Sequence, residues 1–443
     1  MQYNNDFTKG NVEQQLIRFA IPIIVGNLLM QLYNYIDSVI LGKYLGKEAL
    51  AAVGASSPFV YMLISLIIGI SMGSSIIIAQ YYGKKDFVNI RKAADSLYIF
   101  LIISALVLMV LGSVFNRQIM ELIQLPQEII PLAVDYLNIY MVGLLFLFIF
   151  NSLAAILRGV GDSKSPLIFL AISAIINIIL DLIFVIILEW GIKGAAWATV
   201  VSQALAVVFA FYYTSKRHKA IPTNLFKLKF DKDVFFKGIK IGIPAGFQQL
   251  FASMGGLTIV SIVNQFGVDI IAGYSAAIRI EYFVFVFPIN MSVALTSFTA
   301  QNYGARNMER IKKAIRFTLK VSFVASFTIL ILLSALAMPL MKMFSVEESV
   351  INCGVEYLYI LGITYFISCF MFTYMGVLRG IGNTIAPMFI TLLSLWLIKV
   401  PLAKILSETP LEEIGIWLSA PISWAVGAVA AYVCYARCKV SER

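Results

Sequence analysis

Long apolar runs broken by short polar turns recur along the whole chain. A helix needs about 20 apolar residues to cross the hydrocarbon core of a bilayer. Runs of that length lie near 16–41, 53–79, 94–115, 131–156, 166–188 and 194–214. Six more lie near 238–264, 274–300, 315–340, 352–378, 386–406 and 414–436. The pattern predicts an all-α integral membrane protein with twelve transmembrane helices. Membrane barrels fit poorly, because their strands are short and alternate apolar with polar positions. The first 15 residues are polar and mixed in charge. The run after them is too long for a signal peptide and lacks a small-residue cleavage site, so it is expected to be a retained first helix.

The second half repeats the first. RGVGDSKSP from Arg158 returns as RGIGNTIAP from Arg379, an offset of 221. The same offset takes Gly46 to Gly267, Gln80, Tyr82 and Gly83 to Gln301, Tyr303 and Gly304, Tyr136 to Tyr357, and Pro166 to Pro387. Pro22 and Pro244 match with one extra residue. Six spans per half return the chain to the same side. The halves are therefore expected to be six-helix bundles related by a pseudo-two-fold axis along the membrane normal, with a substrate site between them. The expected division is 1–214, a linker at 215–237, and 238–443. The repeated Arg-Gly and Gly-Pro motifs read mainly as turn and helix-start chemistry.

Composition agrees with lipid as the solvent. Charged residues make up 13 % and hydrophobic residues 60 % of the 443 residues, whereas a soluble domain carries about 25 % charged residues. The net charge of +10 is unevenly spread. Lys43, Lys47, Arg117, Lys193, Lys342, Lys399 and Lys404 fall on one side of the predicted topology, and most of the other Lys and Arg fall on the side of the termini. The positive-inside rule then sets both termini in the cytoplasm of a plasma-membrane protein. It also accounts for the basic central segment around Lys216–Lys232 without a nucleic-acid partner. Cys353, Cys369, Cys434 and Cys438 have neither zinc spacing nor a disulfide pattern. There is no GxxxxGK[ST] phosphate loop, and the single histidine, His218, joins no catalytic constellation. An enzyme is not expected, nor is a cofactor.

A few polar groups inside the spans lack an ordinary reason to be there. An ionisable residue in a membrane helix costs about 2.5–3.5 kcal/mol on insertion scales, yet Asp37, Asp181 and Glu281 all sit in predicted spans. On the first helix Asn27, Gln31, Asn34 and Ser38 share a face, flanked by Met30, Tyr33 and Asp37. That face is expected to look into a cavity or at a polar helix. Asn177 and Asp181, four apart, share a face of the fifth helix, and Thr199 lies just inside the sixth. These oxygens suit a proton or a sodium ion. The offset takes Asn177, Asp181 and Thr199 to Ile398, Leu402 and Ala420, so the fold itself does not require the polar set. A structural hydrogen-bond cluster is the plainer alternative. Arg279 and Glu281 on the eighth helix each need a partner elsewhere, and Lys399 is expected to reach toward a membrane boundary. Gln248, Met254 and Met291, with Met30, Gln31, Tyr33, Asn34, Arg279 and Glu281, are candidates for the wall of a substrate cavity. Methionines and aromatic rings suit flat apolar cations.

LYNYIDSVILGKYLG from Leu32, EALAAVGASSP from Glu48, AQYYGKKD from Ala79, LRGVGDSKSP from Leu157 and NIILDLIFV from Asn177 together resemble the multidrug and toxic compound extrusion (MATE) family. FTAQNYGA from Phe298 and LRGIGNT from Leu378 extend the likeness over nearly the whole chain. The resemblance implies a V-shaped pair of six-helix bundles that exports amphipathic, mostly cationic compounds in exchange for protons or sodium by alternating access. It points to the branch resembling the DNA-damage-inducible subfamily, whose cation-coupling site matches Asp37, Asn177, Asp181 and Thr199. Another branch uses a Glu on the seventh helix and an Asp on the tenth. This chain has Gln248 and Gln249 on the seventh and no Asp on the tenth, which argues against that second-half site. The expected partners are small amphipathic cations and the lipid bilayer, with a single chain as the working unit. The chief rival is a lipid-linked saccharide flippase of a related fold, which would call for a strongly cationic cavity.

Overall fold

In hydrocarbon every backbone N–H and C=O must find a partner within the protein, which leaves the helix as the natural answer to an apolar run. The computed structural model describes residues 6–122, 125–218, 221 and 224–438. The first half contains α1 (Val12–Ile40), α2 (Gly46–Gly83), α3 (Phe87–Leu122), α4 (Ile130–Gly159), α5 (Lys164–Asp181) and α6 (Gly191–Arg217). The second contains α7 (Lys232–Val263), α8 (Val268–Gly304), α9 (Met308–Lys342), α10 (Glu348–Gly380), α11 (Ile385–Thr391), α12 (Val400–Ser407) and α13 (Glu412–Arg437). The π-helical segments Leu41–Leu45, Leu182–Ile187 and Leu392–Lys399 extend α1 and α5 and join α11 to α12. Among the described residues, twelve helical stretches are long and apolar enough to cross a membrane. The fold is all-helical and consists of two repeated six-helix halves, in line with the sequence.

The repeat extends to backbone conformation. Left-handed φ values recur at the same offset: Gly46 (83°) and Gly267 (93°), Lys85 (60°) and Arg306 (57°), Gly161 (85°) and Gly382 (93°), Gly191 (61°) and Glu412 (46°). These are the turns between successive helices. At Gly46 and Gly267 the chain reverses with ψ near 180°, a conformation open in practice only to glycine.

By internal contacts the chain divides into two compact units, Met1–Asp6 with Ile21–Ile243, and Phe7–Ala20 with Pro244–Arg443. In the first, α4 is the central helix and packs on α2, α3 and α6. In the second, α10 packs on α8, α9 and α13. Uncovered faces are apolar, including Val107, Val110 and Val114 on α3 and Phe323, Phe327 and Ile331 on α9. In water those faces would be unfavourable, whereas acyl chains solvate them at no cost.

Two helices change unit along their length. The first turns of α1 belong to the second unit, and the first turns of α7 belong to the first. Both changes fall at a proline, Pro22 in α1 and Pro244 in α7, where the missing N–H weakens the helical ladder. The α1 end is held by Arg310, which donates to the carbonyls of Phe7, Lys9 and Gly10 and to Gln15 Oε1. Phe7 itself is buried, packs edge-on to Phe19, and donates its N–H to Gln301 Oε1. The α7 end is held by close approach. A Cβ on Gly73 of α2 would lie 2.4 Å from the Gly238 carbonyl oxygen, so only glycine lets these backbones meet.

In each half a turn is tied to a neighbouring helix end. Asp162 accepts from the backbone N–H groups of Lys164 and Ser165 at the start of α5, and lies 2.9 Å from His218 Nε2 just past α6. In the second half Asn383 Nδ2 contacts Cys438 Sγ at 3.5 Å, the same tie with different side chains. Burial pushes the Asp162 carboxyl up, but hydrogen bonds from His218 and Ser165 outweigh that and hold it below the usual carboxylate range. Lys92 likewise holds the half-buried Asp231 carboxyl down through a 2.9 Å ion pair at the start of α7.

Candidate functional site

The first unit brings four polar side chains from three helices to one place. Asp37 stands on the last turn of α1, just ahead of the π segment Leu41–Leu45. Asn177 and Asp181 occupy the last turns of α5, and the π segment Leu182–Ile187 begins directly after Asp181. The two π segments meet in an apolar cluster containing Ile40, Leu41, Val185 and Ala195. Both carboxylate-bearing helices therefore widen just past the site, and the extra residue per turn rotates the side chains beyond it. Thr199 comes from α6. Its hydroxyl donates to the Ala195 carbonyl at 3.2 Å and accepts from Asn177 Nδ2 at 3.4 Å.

Asp181 and Asn177 are fully enclosed, at 0 % and 1 % exposure, and Thr199 is nearly so. Asp37 is half-buried and lies beside Asp181, carboxyl to carboxyl. Tyr33 approaches from α1 close to both acids. Tyr136 and Tyr140 of α4 stack on each other at 5.8 Å and complete the wall.

The electrostatics follow from which atoms lack partners. Asp37 Oδ1, Asn177 Oδ1 and both carboxylate oxygens of Asp181 are buried without a hydrogen-bond donor. Each such atom costs about 1–3 kcal/mol while unsatisfied. All four are acceptors, so the site lacks positive charge or protons. A proton shared between the two acids, or a small hard cation held by carboxylate, amide and hydroxyl oxygens, would satisfy them together. Two carboxylates are fewer than a tight divalent site normally supplies. Among the described residues no group of three or more His, Cys, Asp or Glu is gathered for a metal ion.

The remaining candidates are divided between the units. Met30, Gln31 and Asn34 on α1 are left uncovered by the first unit, while Tyr33 turns to the acids. In the second unit Gln248 Nε2 donates to Thr391 Oγ1 at 3.0 Å, Met254 and Arg279 are exposed, and Met291 is buried. Glu281 is half-buried and accepts the Tyr357 hydroxyl. Lys399 is half-buried at the end of the π segment Leu392–Lys399. Sequence reasoning did not assign Tyr136 and Tyr140 to the site. Their signal was a four-residue spacing on α4, with Tyr136 repeated as Tyr357.

A family model described as MatE matches twice, over residues 22–183 and 244–405. A probable multidrug resistance protein of Bacillus subtilis (strain 168), YpnP, is 30 % identical over 97 % of this chain and 96 % of its own length. A crystal structure of MATE in the bent conformation superposes with a TM-score of 0.93 at 24 % identity, covering 100 % of this chain and 98 % of that one. MATE in the straight conformation gives a TM-score of 0.88 at 25 % identity, covering 100 % and 99 %.

Proposed function

The chain belongs to the MATE family, and from that premise we propose that it is a multidrug exporter driven by exchange for protons or sodium. One observation carries the coupling assignment: four orphaned acceptor oxygens, on Asp37, Asn177 and Asp181, gathered in one place from α1 and α5. A transporter must bind its driving ion and later let it go. A site that is frustrated when empty and satisfied when filled has that property.

In this reading Asp37 and Asp181 hold the ion, Asn177 orients it, and Thr199 and Tyr33 steady the pair. Filling the site draws α1 toward α5 and α6. Pro22, where α1 leaves one unit for the other, is the point at which the helix can yield. The substrates are small amphipathic compounds, mostly cationic. Drug and ion then oppose each other through α1, and the opposition is reciprocal at equilibrium. The protein works as a single chain in the plasma membrane with both termini in the cytoplasm. A lipid-linked saccharide flippase is disfavoured, because Arg279 is the main cation among the cavity candidates and acids stand close to it in sequence.

The test is efflux of a fluorescent cation from proteoliposomes under an imposed pH gradient or sodium gradient, applied separately. Wild type should export under at least one of them, and Asp37→Asn should abolish the gradient-driven component. Undiminished export by Asp37→Asn would remove Asp37 from the mechanism.

A further inference from the structure

Two adjoining helices of the second unit leave a groove open between them. Phe323, Phe327 and Leu330 of α9 and Gly362, Ile363 and Phe366 of α10 line about 230 Å³. Phe323 and Phe366 meet edge-on at 5.6 Å. Ser326 in the wall turns its hydroxyl to the Ser322 carbonyl at 2.7 Å, so it makes no polar demand on an occupant. The 35 residues of α9 extend about 52 Å at 1.5 Å per residue. The groove lies at the middle of that length, at the depth of acyl chains.

A cationic stripe leads into it. Arg316, Lys320, Phe323, Phe327 and Leu330 follow one another at alternating spacings of four and three, which keeps them on one face of α9. All five are exposed. Lys312 is paired with Glu309, and Arg310 holds the N-terminal segment. Among the described residues Arg316 and Lys320 have no acidic partner. The Lys320 stem is long enough to lift its ammonium to the headgroup level. From Lys320 to Leu330 is about 15 Å along the axis, half of the roughly 30 Å hydrocarbon core.

The first half lacks both features. Shifted back by 221, Arg316 becomes Asp95, Lys320 becomes Ile99 and Gly362 becomes Met141. Met141 is fully buried, its sulfur 2.4 Å from where a Cβ on Gly112 would sit, and it closes the seam between α3 and α4. The cations and the groove are present together in one half and absent together in the other, so the helical repeat needs neither.

We propose that α9 and α10 hold one anionic phospholipid, with its phosphate on Arg316 and Lys320 and an acyl chain in the groove. A guanidinium binds phosphate through paired N–H donors, and the lysine adds a flexible point charge. With both termini in the cytoplasm, that lipid belongs to the cytoplasmic leaflet. The lipid site does not depend on what the protein transports.

The experiment counts lipids bound to the full chain by native mass spectrometry, titrating dioleoyl phosphatidylglycerol or dioleoyl phosphatidylcholine into the detergent-purified protein. One phosphatidylglycerol should bind more tightly than phosphatidylcholine. Arg316→Gln/Lys320→Gln, at two exposed positions, should weaken it about thirtyfold, the equivalent of about 2 kcal/mol for two basic residues. Lys216→Gln/Lys240→Gln, the same charge removal in the first unit, should change nothing. Gly362→Met, which copies the first half, should also weaken binding. Should that variant misfold, dihexanoyl phosphatidylglycerol tests the groove on wild type, where it should bind far more weakly than the dioleoyl lipid. Equal affinity of wild type for the two dioleoyl lipids, or phosphatidylglycerol binding that Arg316→Gln/Lys320→Gln leaves intact, would overturn the proposal. Displacement of the lipid by glycerol 1-phosphate would overturn it too, since it would mark a site for free anions, and so would equal binding of the short and long chains.

Discussion

Replacing Asp181 with asparagine separates ion binding from folding. The substitution keeps the shape, removes one negative charge and adds two N–H donors in the middle of the site. Three acceptors then remain near it: Asp37 Oδ1, Asn177 Oδ1 and the new amide oxygen. Each orphan acceptor costs about 1–3 kcal/mol, so satisfying even one should stabilise the ion-free protein by about that amount. In wild type the driving ion performs the same service, and at a hundred times its dissociation constant it adds about 2.7 kcal/mol. The assay is thermal unfolding in detergent or nanodiscs, titrating sodium at fixed pH and then pH at fixed sodium. Wild type should gain stability along one of these axes. Asp181→Asn should start higher and stay flat. A variant that starts lower than wild type and keeps the full ion-dependent gain would refute the reasoning, because the orphaned oxygens would then have nothing to do with the ion.

Other consequences can be read from the ends of the helices. Arg310→Ala removes donors from three backbone carbonyls and two side chains. It should cost about 2–3 kcal/mol, since the more exposed acceptors return to water, and should open residues 7–15 to limited proteolysis. Arg310→Lys should rescue only partly, because an ammonium cannot reproduce the fork. Asp162, whose folded carboxyl is held low, stabilises the protein above the unfolded carboxylate value of about 3.9 and stops doing so as pH falls through its folded value. Asp162→Ala should therefore lower thermal stability by about 0.5–2 kcal/mol at neutral pH, with the difference from wild type closing in acid.

The spans were legible because a run of twenty apolar residues has few other uses. The halves were legible because turn residues repeat at a fixed offset. That register reappears as paired backbone conformations, down to Lys85 and Arg306, whose positive φ no composition rule would flag. The four polar residues of the first half stood out because acids are costly in a span and their repeat partners are apolar. What stayed hidden depended on geometry that periodicity assumes away. A helical wheel advances 100° per residue, whereas the π segments after Asp37 and Asp181 do not. Tyr136 and Tyr140 looked like ordinary core rings. The contact of Glu281 on α8 with Tyr357 on α10 was equally hidden, because it joins residues 76 positions apart.

The crossing of α1 and α7 between units bears on how such a chain arose and how it could be cut. A break in the central segment would yield two fragments, each carrying the leading turns that the other's core requires. Expressed singly, either fragment would lack part of its own packing, including the Arg310 clamp in one case and the Gly73 contact in the other. Expressed together, they would have to trade those turns, as swapped protomers do. A six-span ancestor would have met the same demand as a homodimer, exchanging identical leader turns. Fusion of two copies would then have made a reciprocal obligation permanent, and freed each copy to keep or discard its own buried charges.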